Sequence, residues 1–209
     1  ASQNLTICAG ETAAISAIGS GGDGNLTYTW TDQLGNPVGT GNALTVTPLV
    51  TTTYIVTLTD GCTTPQVIDD VKIIVNPIPS INITANNLVG CTPLEVIFTN
   101  TSASAGSTCL WDFGNGATST SCGTDSTQYT DSGCYDVTLT VTQNGCSNSQ
   151  TIPDFVCASE VPVAEFVASP DQTDILDTEI EFTNYSINAD NYVWNFGDET
   201  TSGDTDPTH

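Results

Sequence analysis

Methionine and arginine are absent from the 209-residue chain, and lysine and histidine occur once each, as Lys72 and His209. With one Lys and no Arg, nothing can clamp a phosphate. A formal charge of −23 repels nucleic acid and anionic membrane surfaces. A single histidine at the last position excludes a His-based triad, an H-E-x-x-H site and a multi-His metal centre. No apolar run reaches the roughly 18 residues that a membrane helix needs, so no direct membrane insertion is expected. No basic stretch precedes an apolar one, so no signal peptide is expected and Ala1 reads as a processed or excised start. Paired carboxylates could be drawn from 24 acids, but small β-sandwiches offer no deep cleft, and no enzyme is expected.

What is present repeats. The stretch Cys109-Leu110-Trp111-Asp112-Phe113-Gly114-Asn115-Gly116 returns as Tyr192-Val193-Trp194-Asn195-Phe196-Gly197-Asp198, and more faintly as Tyr28-Thr29-Trp30-Thr31-Asp32. The three tryptophans lie 81 and 83 residues apart (111 − 30 and 194 − 111). Tyr54 follows Trp30, and Tyr135 follows Trp111, by the same 24 residues (54 − 30 and 135 − 111). Two landmarks in fixed register mark one small β-domain per tryptophan. Trp30, Trp111, Trp194, Tyr54 and Tyr135 are therefore the expected core anchors. Alternating β-branched runs such as Thr53–Thr59 and Cys134–Thr142 predict half-buried strands. The expected domains are 1–76, 77–158 and 159–209, with Asn76-Pro77-Ile78-Pro79 as a short stiff linker. Adding the Trp-to-Tyr spacing to Trp194 passes His209, so the third sandwich is expected to be incomplete in this chain.

Eight cysteines suit an oxidising exterior. Cys134 and Cys157 are symmetric about the Asn144-Gly145-Cys146-Ser147 turn, and Cys109 and Cys122 about Gly114-Asn115-Gly116, so each pair is expected across one hairpin. Cys91 is then expected to meet Cys146, and Cys8 to meet Cys62 at the matching places of the first domain. Each closure should contribute roughly 2–4 kcal/mol. A thiolate zinc site lacks any C-x-x-C pair. Calcium is the one candidate cofactor, and none is required. Asp198, Glu199, Asp204 and Asp206 crowd one segment with hard oxygen donors, against the simpler reading of a solvated acidic loop.

At the tryptophan strands the chain resembles a known family. Trp111-Asp112-Phe113-Gly114-Asn115-Gly116 and Trp194-Asn195-Phe196-Gly197-Asp198 resemble the WDFGDG signature of PKD domains. Gly133-Cys134-Tyr135-Asp136-Val137-Thr138-Leu139 is similar to that family's G-x-Y-x-V-x-L strand, and Pro207-Thr208-His209 to the segment before it. The first domain departs, with Thr31-Asp32-Gln33 after Trp30, and resembles a related Ig-like repeat. The resemblance implies an all-β chain of tandem Ig-like/PKD β-sandwiches. The Cys8-Ala9-Gly10 and Gly90-Cys91-Thr92-Pro93 openings, with the Asp60-Gly61-Cys62 and Asn144-Gly145-Cys146 turns, resemble repeats of large secreted Bacteroidota-type surface proteins. That likeness implies a gliding-motility-associated, type IX secreted adhesin at the cell surface. Its partners would be other domains of the same polypeptide and a surface protein or glycan. The alternatives are an accessory module of a secreted hydrolase, and a filament subunit completed by strand donation from a neighbour.

Overall fold

Period-two alternation gives the most regular strands one apolar face, and at Ala13–Ser16 and Leu94–Asn100 the buried positions follow it. The structure, a computed structural model, describes residues 1–62, 65–102, 104–174 and 178–209. The first domain contains β1 (Leu5–Cys8), β2 (Ala13–Ser16), β3 (Thr27–Asp32), β4 (Pro37–Thr40), β5 (Ala43–Val46), β6 (Thr52–Thr59) and β7 (Val67–Asn76). Its larger sheet has the order β1-β7-β6-β3-β4, and β2 pairs with β5 in the smaller one. Ala13 and Ile15 from β2, Trp30, Val46, Tyr54, Val56, Val71 and Ile73 meet as one core. Strand β1 runs parallel to β7, with Cys8 opposite Asn76.

The second domain contains β8 (Ile83–Ala85), β9 (Val89–Cys91), β10 (Leu94–Asn100), β11 (Thr108–Asp112), β12 (Thr118–Ser119), β13 (Thr124–Tyr129), β14 (Gly133–Gln143) and β15 (Cys146–Ser159). Its sheets have the orders β13-β10-β8 and β12-β11-β14-β15-β9. On β10, Leu94, Val96, Phe98 and Asn100 all point inward. Phe98, Trp111 and Phe113 form an aromatic trio with centroids 5.1–5.9 Å apart. Thr138, Thr140 and Thr142 pair their hydroxyls with those of Thr151, Ser149 and Ser147. The buried Asn100 amide oxygen accepts from the Ser102 amide and hydroxyl. The last segment contains β16 (Phe166–Ser169), β17 (Glu181–Asn184), β18 (Trp194–Asn195) and β19 (Thr201–Ser202), paired β16-β17 and β18-β19. Residues 207–209 line up beside β17 through Phe182 N–H to Pro207 O and a reciprocal pair between Ile180 and His209.

By compactness the described residues divide into two units. One comprises Ala1–Ala85, Phe98–Asp125 and Val137–Ile152, and the other Asn86–Ile97, Ser126–Asp136 and Pro153–His209.

Several expectations need correction. Tyr135 is only half-buried, whereas Tyr129, not anticipated as an anchor, is fully buried with its ring 4.5 Å from that of Tyr135. The Tyr135 hydroxyl donates to the Asp131 carbonyl at 2.7 Å, so the residue works as a corner tether with its polar end kept near water. Trp194 is likewise half-buried, while Trp30 and Trp111 are 1% and 0% exposed.

The disulfides also differ. Cys8 pairs with Cys146, not Cys62, and Cys62 and Cys91 are exposed free thiols. Strand direction is the reason. Because β1 lies parallel to β7, Cys8 finishes beside Asn76, at the end where the chain leaves the first domain. Cys62 sits in the turn before β7, and ten residues of strand at about 3.3 Å each hold the two sites roughly 30 Å apart. Cys91 likewise pairs beside Ser159, the last residue of β15, while Cys146 is the first. The structure does pair Cys109 with Cys122 and Cys134 with Cys157.

Candidate functional site

Two places could act beyond packing: the joint where Cys8 meets Cys146, and the aromatic face of the last segment. Both are built from the repeated motifs.

The motif beginning at Trp111 is a pair of side-chain-closed turns. The Asp112 carboxylate accepts from Gly114 N at 2.9 Å, and the Asn115 amide oxygen accepts from Ala117 N at 3.0 Å. The same pair recurs 83 residues on, where Asn195 accepts from Gly197 N and Asp198 from Thr200 N, both at 3.0 Å. Short Asx side chains satisfy backbone donors that a tight hairpin leaves open. Gly114 and Gly197 have φ of +79° and +91°, where an L side chain is disfavoured. In all three repeats the tryptophan N–H donates to a carbonyl ten or eleven residues downstream: Trp30 to Gly41, Trp111 to Ser121 and Trp194 to Asp204, at 2.8–2.9 Å. The indole ring fills the core and its N–H anchors the neighbouring loop.

One departure from the repeat carries a prediction. Gly116, with φ +86°, is matched 83 residues on by Glu199, with φ +74°. A left-handed conformation costs a side-chain-bearing residue about 1 kcal/mol. E199G should therefore stabilise the last segment by up to about that amount, read as a higher urea midpoint at unchanged slope. A lower midpoint would show that the Glu199 side chain contributes more than the strain it causes.

The four candidate calcium ligands do not converge. Asp198 is engaged by the Thr200 amide and hydroxyl and by His209, Asp204 by the Ser202 hydroxyl, and Asp206 by Asn184 N. Glu199 occupies the turn just described. Among the described residues no three His, Cys, Asp or Glu side chains gather closely enough to hold a metal ion. The Thr200 hydroxyl and amide, and then His209, hold the Asp198 carboxyl down at about 2. A depressed carboxyl stabilises the fold above its ordinary value and loses that contribution as pH falls through the folded value. A carboxyl-carbon NMR titration should therefore place the Asp198 midpoint near 2. T200A should move it up toward the ordinary carboxylate range, and an unmoved midpoint would contradict the assigned cause.

The aromatic face consists of Phe166, Phe182, Trp194 and Phe196, with centroids 5.3–6.1 Å apart. It borders an open cavity of about 470 Å³ that Tyr192 and Val163 also line. The four rings themselves are apolar, and Glu165, Asn184 and Ser186 also line the cavity beside them.

The joint is polar at its rim and covalent at its centre. Asn76 Nδ2 donates to the Asn144 carbonyl at 2.8 Å, and Asn148 Nδ2 donates to the Pro79 carbonyl at 2.8 Å. The Asn144-Gly145 turn thus rests on the residues that link the first two domains, and Cys146 comes within 5.6 Å, Cα to Cα, of Cys8. Hairpin symmetry could find the two closures inside single hairpins but not this one, since nothing in the spacing shows which turn meets the end of β1.

Comparison with known proteins follows the same lines. No curated protein matches the chain. Residues 75–156 match the PKD domain family. The PKD1 domain of the Vibrio cholerae metalloprotease PrtV is 38% identical over 36% of this chain and 95% of that domain, with a TM-score of 0.29. The N-terminal eight Ig domains of Down Syndrome Cell Adhesion Molecule align over 91% of this chain and 28% of that one, at 10% identity and a TM-score of 0.56. The latter likeness is one of fold. Residues 75–156 thus carry the PKD match within a chain that is an all-β PKD/Ig-like repeat protein.

Proposed function

We propose that this chain is a non-catalytic extracellular segment whose sandwiches space and present other domains at the cell surface. The observation that carries the reading is the disulfide Cys8–Cys146, which ties the first sandwich to the PKD-matching second one, itself stapled by Cys109–Cys122 and Cys134–Cys157. Disulfides persist in oxidising compartments, and a covalent tie between successive domains resists their separation under load. The partners we propose are other domains of the same polypeptide and, at the exposed aromatic face, a surface protein or glycan. No cofactor is required in this reading. The repeat likeness to Bacteroidota-type surface proteins extends the proposal to a type IX-exported adhesin.

Antibodies raised against the 209-residue chain test the location. They should label intact cells of the source organism, and external protease should remove the label. Labelling only after permeabilisation would overturn the proposal.

A further inference from the structure

The tie between the first two domains has a half-built counterpart one repeat further on. Cys8 lies opposite Asn76 at the end of a parallel strand pair, and Cys91 lies opposite Ser159 in the same parallel arrangement. The offset is 83 residues on both sides (91 − 8 and 159 − 76). The next residue repeats the contact as well: Ala9 N–H donates to Asn76 O at 3.0 Å, and Thr92 N–H to Ser159 O at 2.8 Å. Cys91 therefore stands at the exit of the second domain as Cys8 stands at the exit of the first. In the first case the thiol is consumed by an Asx-Gly-Cys turn of the following domain. In the second it is exposed and free. The second exit is also an ordered contact. Glu160, just past Ser159, accepts from Ser132 Oγ at 3.2 Å on one side and from Asn188 Nδ2 at 2.6 Å on the other.

We propose that Cys91 is one half of a second inter-domain tie, and that its partner is the cysteine of an Asx-Gly-Cys hairpin turn belonging to the domain that follows. Such a thiol would come 138 residues after Cys91, the separation of the Cys8–Cys146 pair, and so outside the 209 residues. Cys62 has the opposite polarity. It ends the Asp60-Gly61-Cys62 turn, with its N–H on Asp60, and matches Cys146 rather than Cys8. The rule is that an exit cysteine takes a turn cysteine from the next domain along. The covalent step is a thiol–disulfide exchange. The Cys91 thiolate attacks the turn sulfur of a mixed disulfide with glutathione, the new S–S bond forms, and glutathione thiolate leaves. Overall two thiols yield one disulfide, and their two electrons and two protons pass to a small-molecule disulfide. The inference rests on the extracellular reading for its natural oxidant alone. The test supplies its own oxidant, so its outcome is independent of the cell-labelling result.

The test extends the chain with a second copy of residues Thr127–Ser159 after His209. This places a copied Asn144-Gly145-Cys146 turn at the repeat spacing. The protein is oxidised in a glutathione buffer and mapped without reduction, using a protease that cuts at acidic residues because Lys72 is the sole basic site. Cys91 should be joined to the copied turn cysteine, leaving Cys62 as the remaining free thiol. Cys91 still free while Trp194 has become protected from quencher, or the copied turn joined to Cys62, would overturn the proposal. A second measurement needs no extension. A peptide spanning residues 140–149, activated at its cysteine as a thiopyridyl disulfide, is reacted with the 209-residue chain. Relative to the glutathione analogue, it should capture Cys91 severalfold faster than Cys62. An equal ratio for the two probes would overturn the proposal even if the extended segment does not fold.

Discussion

Replacing Trp111 with alanine should lower the unfolding free energy of the second domain by about 3–5 kcal/mol, the cost of emptying a buried aromatic site. Trp111 is completely buried, its ring centroid lies 5.9 Å from that of Phe98 and 5.7 Å from that of Phe113, and its N–H holds the Ser121 carbonyl at 2.8 Å. The substitution removes the ring, leaves a cavity between two aromatic neighbours and frees the loop that the N–H anchored. Trp194 provides the control inside the same chain, because it keeps the equivalent N–H bond, to Asp204 O at 2.8 Å, but is only half-buried. Its ring borders an open cavity, so W194A removes less buried area and encloses no void. Urea unfolding followed by circular dichroism should rank W111A well above W194A. Equal losses would mean that the indole N–H bond, common to both sites, outweighs burial.

Those two tryptophans also show where the sequence is informative. The fixed Trp-to-Tyr spacing and the doubled W-D/N-F-G motif report backbone turns that only Asx and Gly side chains close well. Such local chemistry is visible in a linear string. Strand β10 is equally plain, since Leu94, Val96, Phe98 and Asn100 alternate inward without a break. Strand β13 is not: Thr124-Asp125-Ser126-Thr127-Gln128-Tyr129 offers a single buried residue, Tyr129, and its place in the sheet comes from the neighbour it pairs with. Strand β4 opens on Pro37 and contains Gly39, both poor strand formers, and survives at the edge of its sheet. The disulfides divide the same way. A staple across one hairpin is fixed by the turn between its cysteines, and both such pairs are readable by symmetry. Cys8 and Cys146 are joined by the path of the chain through a whole domain. The clue was the direction of β1, because an antiparallel β1 would have carried Cys8 to the opposite end. Local sequence does not encode that direction. The four candidate calcium ligands are close in sequence but differently engaged, Asp198 and Asp204 within their own turns and Asp206 by the Asn184 amide of β17, and linear crowding does not report such partners.

Removing the Cys8–Cys146 bond should cost more than removing either hairpin staple. A disulfide acts mainly by restricting the unfolded chain, and the restriction grows with the logarithm of the loop it closes. For loops of 138, 23 and 13 residues the chain-entropy relation gives about 5, about 3.4 and about 2.9 kcal/mol. The variant should be C8S/C146S rather than either single change, since one leftover thiol could exchange with Cys62 or Cys91, which are exposed. The hydrogen bonds at the joint, from Asn76 to Asn144 O and from Asn148 to Pro79 O, remain in that variant, so the loss reports the covalent tie. Calorimetry should show the largest fall in melting temperature for C8S/C146S, then C134S/C157S, then C109S/C122S. The first variant should also separate the unfolding of the first two domains into distinct transitions. If C8S/C146S costs least instead, the unfolded chain is not what the tie restrains. Its contribution would then lie in holding two already folded domains together under force, which a pulling experiment on the oxidised and reduced chain would show as an added extension on reduction.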